Sequence, residues 1–134
     1  MLKQLSIYAE NKKGALQTMT NALYEAGINI WGSVTNDGAE YGINRMVVSD
    51  PDKAKEVLTE KGYLCRFVDV LAVEIEDKPG ALNTLLTALL DSNVNVDHTY
   101  LSFNRDSSTP VMILHTADPE EVEICLRAKG FKMV

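Results

Sequence analysis

The chain contains one supersecondary unit twice. Asn11-Lys12-Lys13-Gly14-Ala15-Leu16 returns 66 positions later as Asp77-Lys78-Pro79-Gly80-Ala81-Leu82. The match continues through Thr18 with Thr84, Leu23 with Leu89, and Ile28-Asn29-Ile30 with Val94-Asn95-Val96. Past the next loop the spacing becomes 68, aligning Asp50-Pro51 with Asp118-Pro119 and Gly62 with Gly130. One loop gained two residues and the rest kept register. Such a repeat restricts the chain to two copies of one small module, 1–68 and 69–134. Modules of this size are marginal alone, because a chain of ~60 residues buries only about 60% of its surface on folding. Packing between modules and a homo-oligomer, most simply a dimer, are therefore expected.

Within each copy the apolar period switches from two to helical and back. Leu5, Ile7 and Ala9 alternate with polar residues as a strand. Leu16, Met19, Ala22, Leu23 and Ala26 then form a helical stripe that Gly27 closes. Ile28 to Thr35 reads as a second strand, Asn36-Asp37-Gly38 as a hairpin turn, and Tyr41 to Ser49 as the returning strand. Asp50-Pro51 supplies a cap and a first-turn proline for a second helix that Gly62 ends, and Tyr63 to Val68 is a fourth strand. The second copy repeats the order with strands near Leu71 to Ile75, Val94 to Phe103, Val111 to Thr116 and Phe131 to Val134. The fold class is α+β: two ferredoxin-like βαββαβ modules, each an antiparallel sheet with both helices on one face. Nothing rich in Gly, Pro or Ser separates Val68 from Ala72, so a rigid junction is expected.

The strand-to-helix corners carry the chemistry. Asp77 is suited to capping a helix start and Pro79 to its first turn. Gly80 lets a ligand approach the backbone, and the first-turn N–H groups attract an anion. A corner of this kind is a cradle for a carboxylate or phosphate. Two βαββαβ modules with an Asn/Asp-Lys-x-Gly-Ala-Leu loop between strand one and helix one resemble the ACT family of small-molecule-sensing domains over essentially the whole chain. The resemblance implies modules paired side by side, amino acids bound at the seam between modules, and a regulator of amino-acid metabolism without catalytic residues or cofactor. A free amino acid needs donors for its carboxylate and acceptors for its ammonium. The expected ligand-binding residues are Asn11, Lys12, Gly14, Ala15 and Leu16 with Asn29 and Ile30, and Asp77, Lys78, Pro79, Gly80, Ala81 and Leu82 with Asn95 and Val96. Each loop is expected to act with the Asn29 or Asn95 region of a neighbouring module. Lys13 stands where the second copy has Pro79, and Asn11 where it has Asp77, so the sites need not be equivalent.

Other residues refine this reading. Trp31 lies on the polar phase of strand two, where it suits either lining a ligand pocket or packing on a partner, and its counterpart is Asp97. The helix from Gly80 carries Leu86 and Leu90 where the first has Thr20 and Tyr24, and Val111 to Leu114 is apolar on both pleats. Either another layer packs there or the core is locally thick. A net charge of −6 without a basic stripe argues against nucleic acid and anionic membrane. Apolar runs fall far short of the ~20 residues of a span, and the N-terminus lacks a secretory core, so a cytoplasmic protein is expected. Cys65 and Cys125 have no metal-ligand spacing and read as buried apolar residues. Two alternatives remain: a small ferredoxin-like enzyme using Asp97, His98 and His115, and a structural oligomerisation subunit. The partners expected are a small ligand, a second copy and a regulated enzyme.

Overall fold

The computed structural model describes residues 1–36, 38 and 41–134. The turn expected at Asn36-Asp37-Gly38 includes Asp37 and so lies outside the described residues. The elements are β1 (Leu2–Glu10), α1 (Ala15–Glu25), β2 (Ile30–Asn36), β3 (Tyr41–Val48), α2 (Pro51–Glu60), β4 (Leu64–Glu74), α3 (Ala81–Asp91), β5 (His98–Phe103), β6 (Pro110–His115), α4 (Pro119–Ala128) and β7 (Lys132–Met133). They fall into two compact units, Lys3–Val68 and Asp69–Val134, the latter joined by Met1–Leu2. The α+β class and the two βαββαβ modules are those the repeat implies. The strands expected over Tyr63 to Val68 and Leu71 to Ile75 are one continuous strand, because no Gly or Pro interrupts Leu64–Glu74 and the extended backbone simply continues.

In the first module β1 lies between β3 and β4, and β2 is the edge strand beyond β3. Antiparallel registers place Leu5 opposite Met46 and Ile7 opposite Asn44. In the second, β4 lies between β6 and β7, and β5 is the edge strand. There Leu71 faces Leu114 and Tyr100 faces Ile113. Because side chains alternate along a strand, one face of each sheet is fixed as apolar and receives both helices. Leu5, Ile7, Met46 and Val48 pack with Met19, Leu23, Ala54 and Leu58 in the first core. Leu71, Val73, Met112 and Leu114 pack with Leu85, Leu89, Val122 and Leu126 in the second. Val111 and Ile113, on the opposite pleat of β6, are also buried, as the unbroken apolar run requires.

The helix ends follow local chemistry. Asp50 and Asp118 cap α2 and α4, accepting from the N–H groups of Lys53 and Glu121 at 3.2 Å each, with proline in the first turn. At the far ends of α1 and α3, Gly27 and Asn93 adopt left-handed backbone, and the N–H groups of Ile28 and Val94 bond Leu23 and Leu89. One expectation fails on α1 and α3. Leu16 and Leu82 were placed on the inward stripe, yet they are 46% and 38% exposed. The core is met by Met19, Ala22 and Leu23 and by Leu85 and Leu89, whereas residues 16, 20, 24 and 82, 86, 90 recur every four positions as a second, outward stripe. Replacing the fully buried Leu89 by Ala is expected to lower unfolding free energy by about 2–5 kcal/mol, and Asp118→Ala by about 1 kcal/mol. Denaturant titration measures both; a Leu89→Ala loss below that of the cap variant would contradict this core assignment.

Candidate functional site

Both corners are built alike. Glu10 and Glu76 end the preceding extended segments and pair with Lys12 and Lys78, the first contact at 3.0 Å. That carboxylate, by hydrogen bond and charge, raises the Lys12 pKa above its ordinary value. The chain then tightens into a turn in which the N–H groups of Ala15 and Ala81 bond the carbonyls of Lys12 and Lys78 at 3.2 Å. Gly14 and Gly80 occupy the cap position with φ of 83° and 86°. A Cβ there would meet nothing within 4 Å, so glycine is required by the left-handed backbone rather than by crowding. Thr18 and Thr84 lock the corner from the next turn, their hydroxyls donating to the Gly14 and Gly80 carbonyls at 2.9 and 3.0 Å.

The expected caps are not caps. No side chain caps α1 or α3. The helix begins at Ala15 or Ala81, three residues too late for an Asn11 or Asp77 oxygen to act at the cap position. Asn11 instead donates to the Gly38 carbonyl at 3.1 Å. Pro79 likewise precedes the helix, so its fixed φ shapes the loop rather than the first turn. With the Ala15 and Ala81 N–H groups already bonded to Lys12 and Lys78, it is the N–H groups of residues 16, 17, 82 and 83 that lack a carbonyl four residues back inside the helix, at the positive end of its dipole, an arrangement suited to an anion.

A cleft of about 440 Å³ lies at the first corner. Lys12, Gly14 and Ala15 line it, together with Tyr8, Thr18, Tyr41 and Tyr63, which sequence reasoning missed. The second corner has a cleft of about 280 Å³ with Lys78, Ala81 and Thr84, closed by Glu74 and Phe131. A signal for the missed residues existed: Gly62-Tyr63 and Gly130-Phe131 align in the repeat, and in both modules this turn closes on the corner. The clefts differ chemically. Tyr8 and Tyr63 become Glu74 and Phe131 in the second copy, exchanging hydroxyls for a carboxylate and a bare ring. Glu74 pairs with Lys132 at 3.3 Å, although that Oε2 contact lacks hydrogen-bond geometry.

Asn29 and Asn95 were expected just inside strands, but both precede them. Asn29 is held before β2 by its backbone, bonding Ser49 through both N–H and C=O at 2.9 Å. Asn95 and Val96 lie in the loop before β5, where Asn95 donates to Asp97 at 3.1 Å. Within a module, loop and asparagine sit beyond opposite ends of an 11-residue helix, so they share no cleft there. Asn29 and Ile30 line a separate shallow depression. His98 and His115 stack with ring centroids 5.0 Å apart, and Asp97 pairs with His115 at 2.9 Å. Among the described residues no group of three side chains is placed to hold a metal ion. Burial pushes the Cys65 thiol above its ordinary pKa, so it is no poised nucleophile. No helix of the described residues is long and apolar enough to cross a membrane.

The family model described as ACT domain pair matches residues 1–133. No curated protein matches the chain. A crystal structure of a protein from Bacteroides thetaiotaomicron is 29% identical, with a TM-score of 0.91, covering 99% of this chain and 91% of that one. The regulatory subunit of aspartate kinase from Thermus thermophilus, in a ligand-free form, is 16% identical with a TM-score of 0.68, covering 96% and 90%. Its counterpart from Thermus flavus is 19% identical with a TM-score of 0.63, covering 96% and 91%. The last two share the fold.

Gly80→Ala is expected to destabilise the protein by about 1–2 kcal/mol through its left-handed backbone, and Gly80→Asn by less. Chemical denaturation measures this; a neutral Gly80→Ala would show that the corner relaxes to ordinary backbone.

Proposed function

The chain belongs to the ACT domain pair family of regulatory, small-molecule-sensing domains, and on that premise we propose that it binds a free amino acid and regulates amino-acid metabolism without catalysing a reaction itself. The observation that carries this reading is the duplicated corner, in which a left-handed glycine opens a helix that no side chain caps, above a cleft. Exposed amides at the positive end of a helix suit a carboxylate. Tyr8, Tyr41 and Tyr63 in the first cleft and Glu74 in the second supply acceptors for an ammonium. Because these acceptors differ, the two corners suit different amino acids.

A second copy of the chain is the partner this reading requires. Helix α3 exposes Leu82, Leu86 and Leu90, and the edge strand β5 exposes Leu101 and Phe103. Apolar side chains of this size on an unpaired edge favour association. Asn29 and Asn95, remote from the loop of their own module, would then meet the loop of a neighbouring copy. Ligand bound across that contact stabilises one assembly, and a regulated enzyme reads it. The two Thermus chains of the same fold are named as regulatory subunits of such an enzyme. The free Cys65 and Cys125 suit the reducing cytoplasm.

A thermal screen of the standard amino acids tests the reading. One or a few should raise the melting midpoint by several degrees, as mass action gives about 2.7 kcal/mol at a hundredfold excess over Kd. Gly80→Ala, referred to its own unliganded midpoint, should lose part of the rise; no response to any amino acid would overturn the proposal. Leu86→Glu should shift the sedimenting species toward monomer, and an unchanged species would exclude this face from assembly.

A further inference from the structure

We propose that the second module holds a separate binding cleft for a small primary amine, built over the buried hydroxyl of Thr116. The cleft, about 450 Å³, is lined by Ser92, Asn95, Asp97, Thr116, Glu121 and Cys125 among others. Thr116 is 1% exposed, and its Oγ1 has no hydrogen-bond partner. It follows β6 in the phase of Met112 and Leu114, which face the helices, so the hydroxyl is directed toward the ends of α3 and α4 that form the cleft. There the Ser92 hydroxyl and Cys125 thiol already meet at 3.1 Å. A buried hydroxyl without a partner is costly and uncommon, and this one belongs to a residue of the cleft wall.

The internal repeat supplies the control. At the aligned positions the first module has Val48 for Thr116, Val57 for Cys125, Ala26 for Ser92, Trp31 for Asp97 and Lys53 for Glu121. Val48 belongs to the first core, with Ala26 and Val57 packed against it. The fold is therefore satisfied by an apolar set, and the second module's polar set is surplus to folding. Asp118 is shared with the first module as Asp50, but the hydroxyl, the thiol and the carboxylates of Asp97 and Glu121 stand where the chain has departed from its own duplicate.

The charge around the cleft selects the ligand. Asp97, Asp118 and Glu121 line it and no Lys or Arg does. Asp97 is fixed in place, with one oxygen accepting from Asn95 at 3.1 Å and the other 2.9 Å from His115 Nδ1. An ammonium is attracted by the carboxylates and donates to Thr116 Oγ1, while a carboxylate-bearing ligand is repelled. Val94, Val122 and the Cys125 methylene offer an apolar wall to a short carbon chain. The cleft therefore suits an amine without its own carboxylate; it shares Asn95 with the amino-acid reading and none of the residues of the glycine corners.

Thermal midpoints of the full chain with ethanolamine and with 1,4-diaminobutane, against succinate and sodium chloride at matched ionic strength, test the proposal. At least one amine should raise the midpoint by about 2 °C or more, and succinate should not. Thr116→Val, which installs the residue of the first module, should weaken amine binding about tenfold in calorimetric titration without lowering the unliganded midpoint. Glu121→Gln, at an exposed position, should also weaken it. Gly80→Ala should leave the amine response intact. Absence of a rise with both amines, a rise matched by sodium chloride, or amine affinity unchanged by both Thr116→Val and Glu121→Gln would overturn the proposal.

Discussion

The structure depends on a backbone conformation that side chains disfavour. At Gly14 and Gly80 the chain must leave a strand and enter a helix within a few residues, and it does so through φ near +85°. That choice fixes where α1 and α3 begin and leaves their first amides without a side-chain cap. Elsewhere in the same chain the helices are capped conventionally, by Asp50 and Asp118. The contrast matters because both solutions are available to this sequence. Capping is present at α2 and α4 and absent at α1 and α3, the two helices whose starts are proposed to receive a ligand.

Duplication gives one fold two chemistries. The core positions agree closely, with Leu23 against Leu89 and Leu58 against Leu126 all buried. The polar positions diverge. Tyr8 and Tyr63 become Glu74 and Phe131 beside one corner, and Val48 becomes Thr116 behind the other end of the helices. Packing conserves volume and apolarity between copies, whereas residues lining clefts are free to change wherever the backbone does not require them.

Much of this was legible in the sequence because periodicity reports burial. The switch from alternation at Leu5, Ile7 and Ala9 to the helical spacing of Met19 and Leu23 located the elements, and the repeat located the modules. What failed was placement by one or a few residues. Asn11 and Asp77 look like caps by residue type, but the left-handed glycine moves the helix start past them. Leu16 and Leu82 are apolar at helical spacing, yet they fall on the neighbouring stripe, a rotation that hydrophobicity alone does not resolve. Asn95 was expected in a strand that begins only at His98, because Asn93 ends α3 in left-handed backbone and a loop must follow. Tyr41 and Tyr63 lie far from the corner in sequence and reach it only through the sheet and the turn after α2, a proximity that local pattern does not encode. Thr116 closes the strand expected over Val111 to Thr116, and a polar residue at a strand end gives no sign that its hydroxyl lies buried beside a cleft.

The central claim is that the uncapped corners receive the carboxylate of an amino acid. Amide resonances followed during titration with each standard amino acid examine it most directly. The account predicts that at least one amino acid moves the N–H signals of residues 14–17 or 80–83 saturably, with Thr18 or Thr84 following. Titrations in which those signals stay fixed while others move, or in which nothing moves, would contradict it.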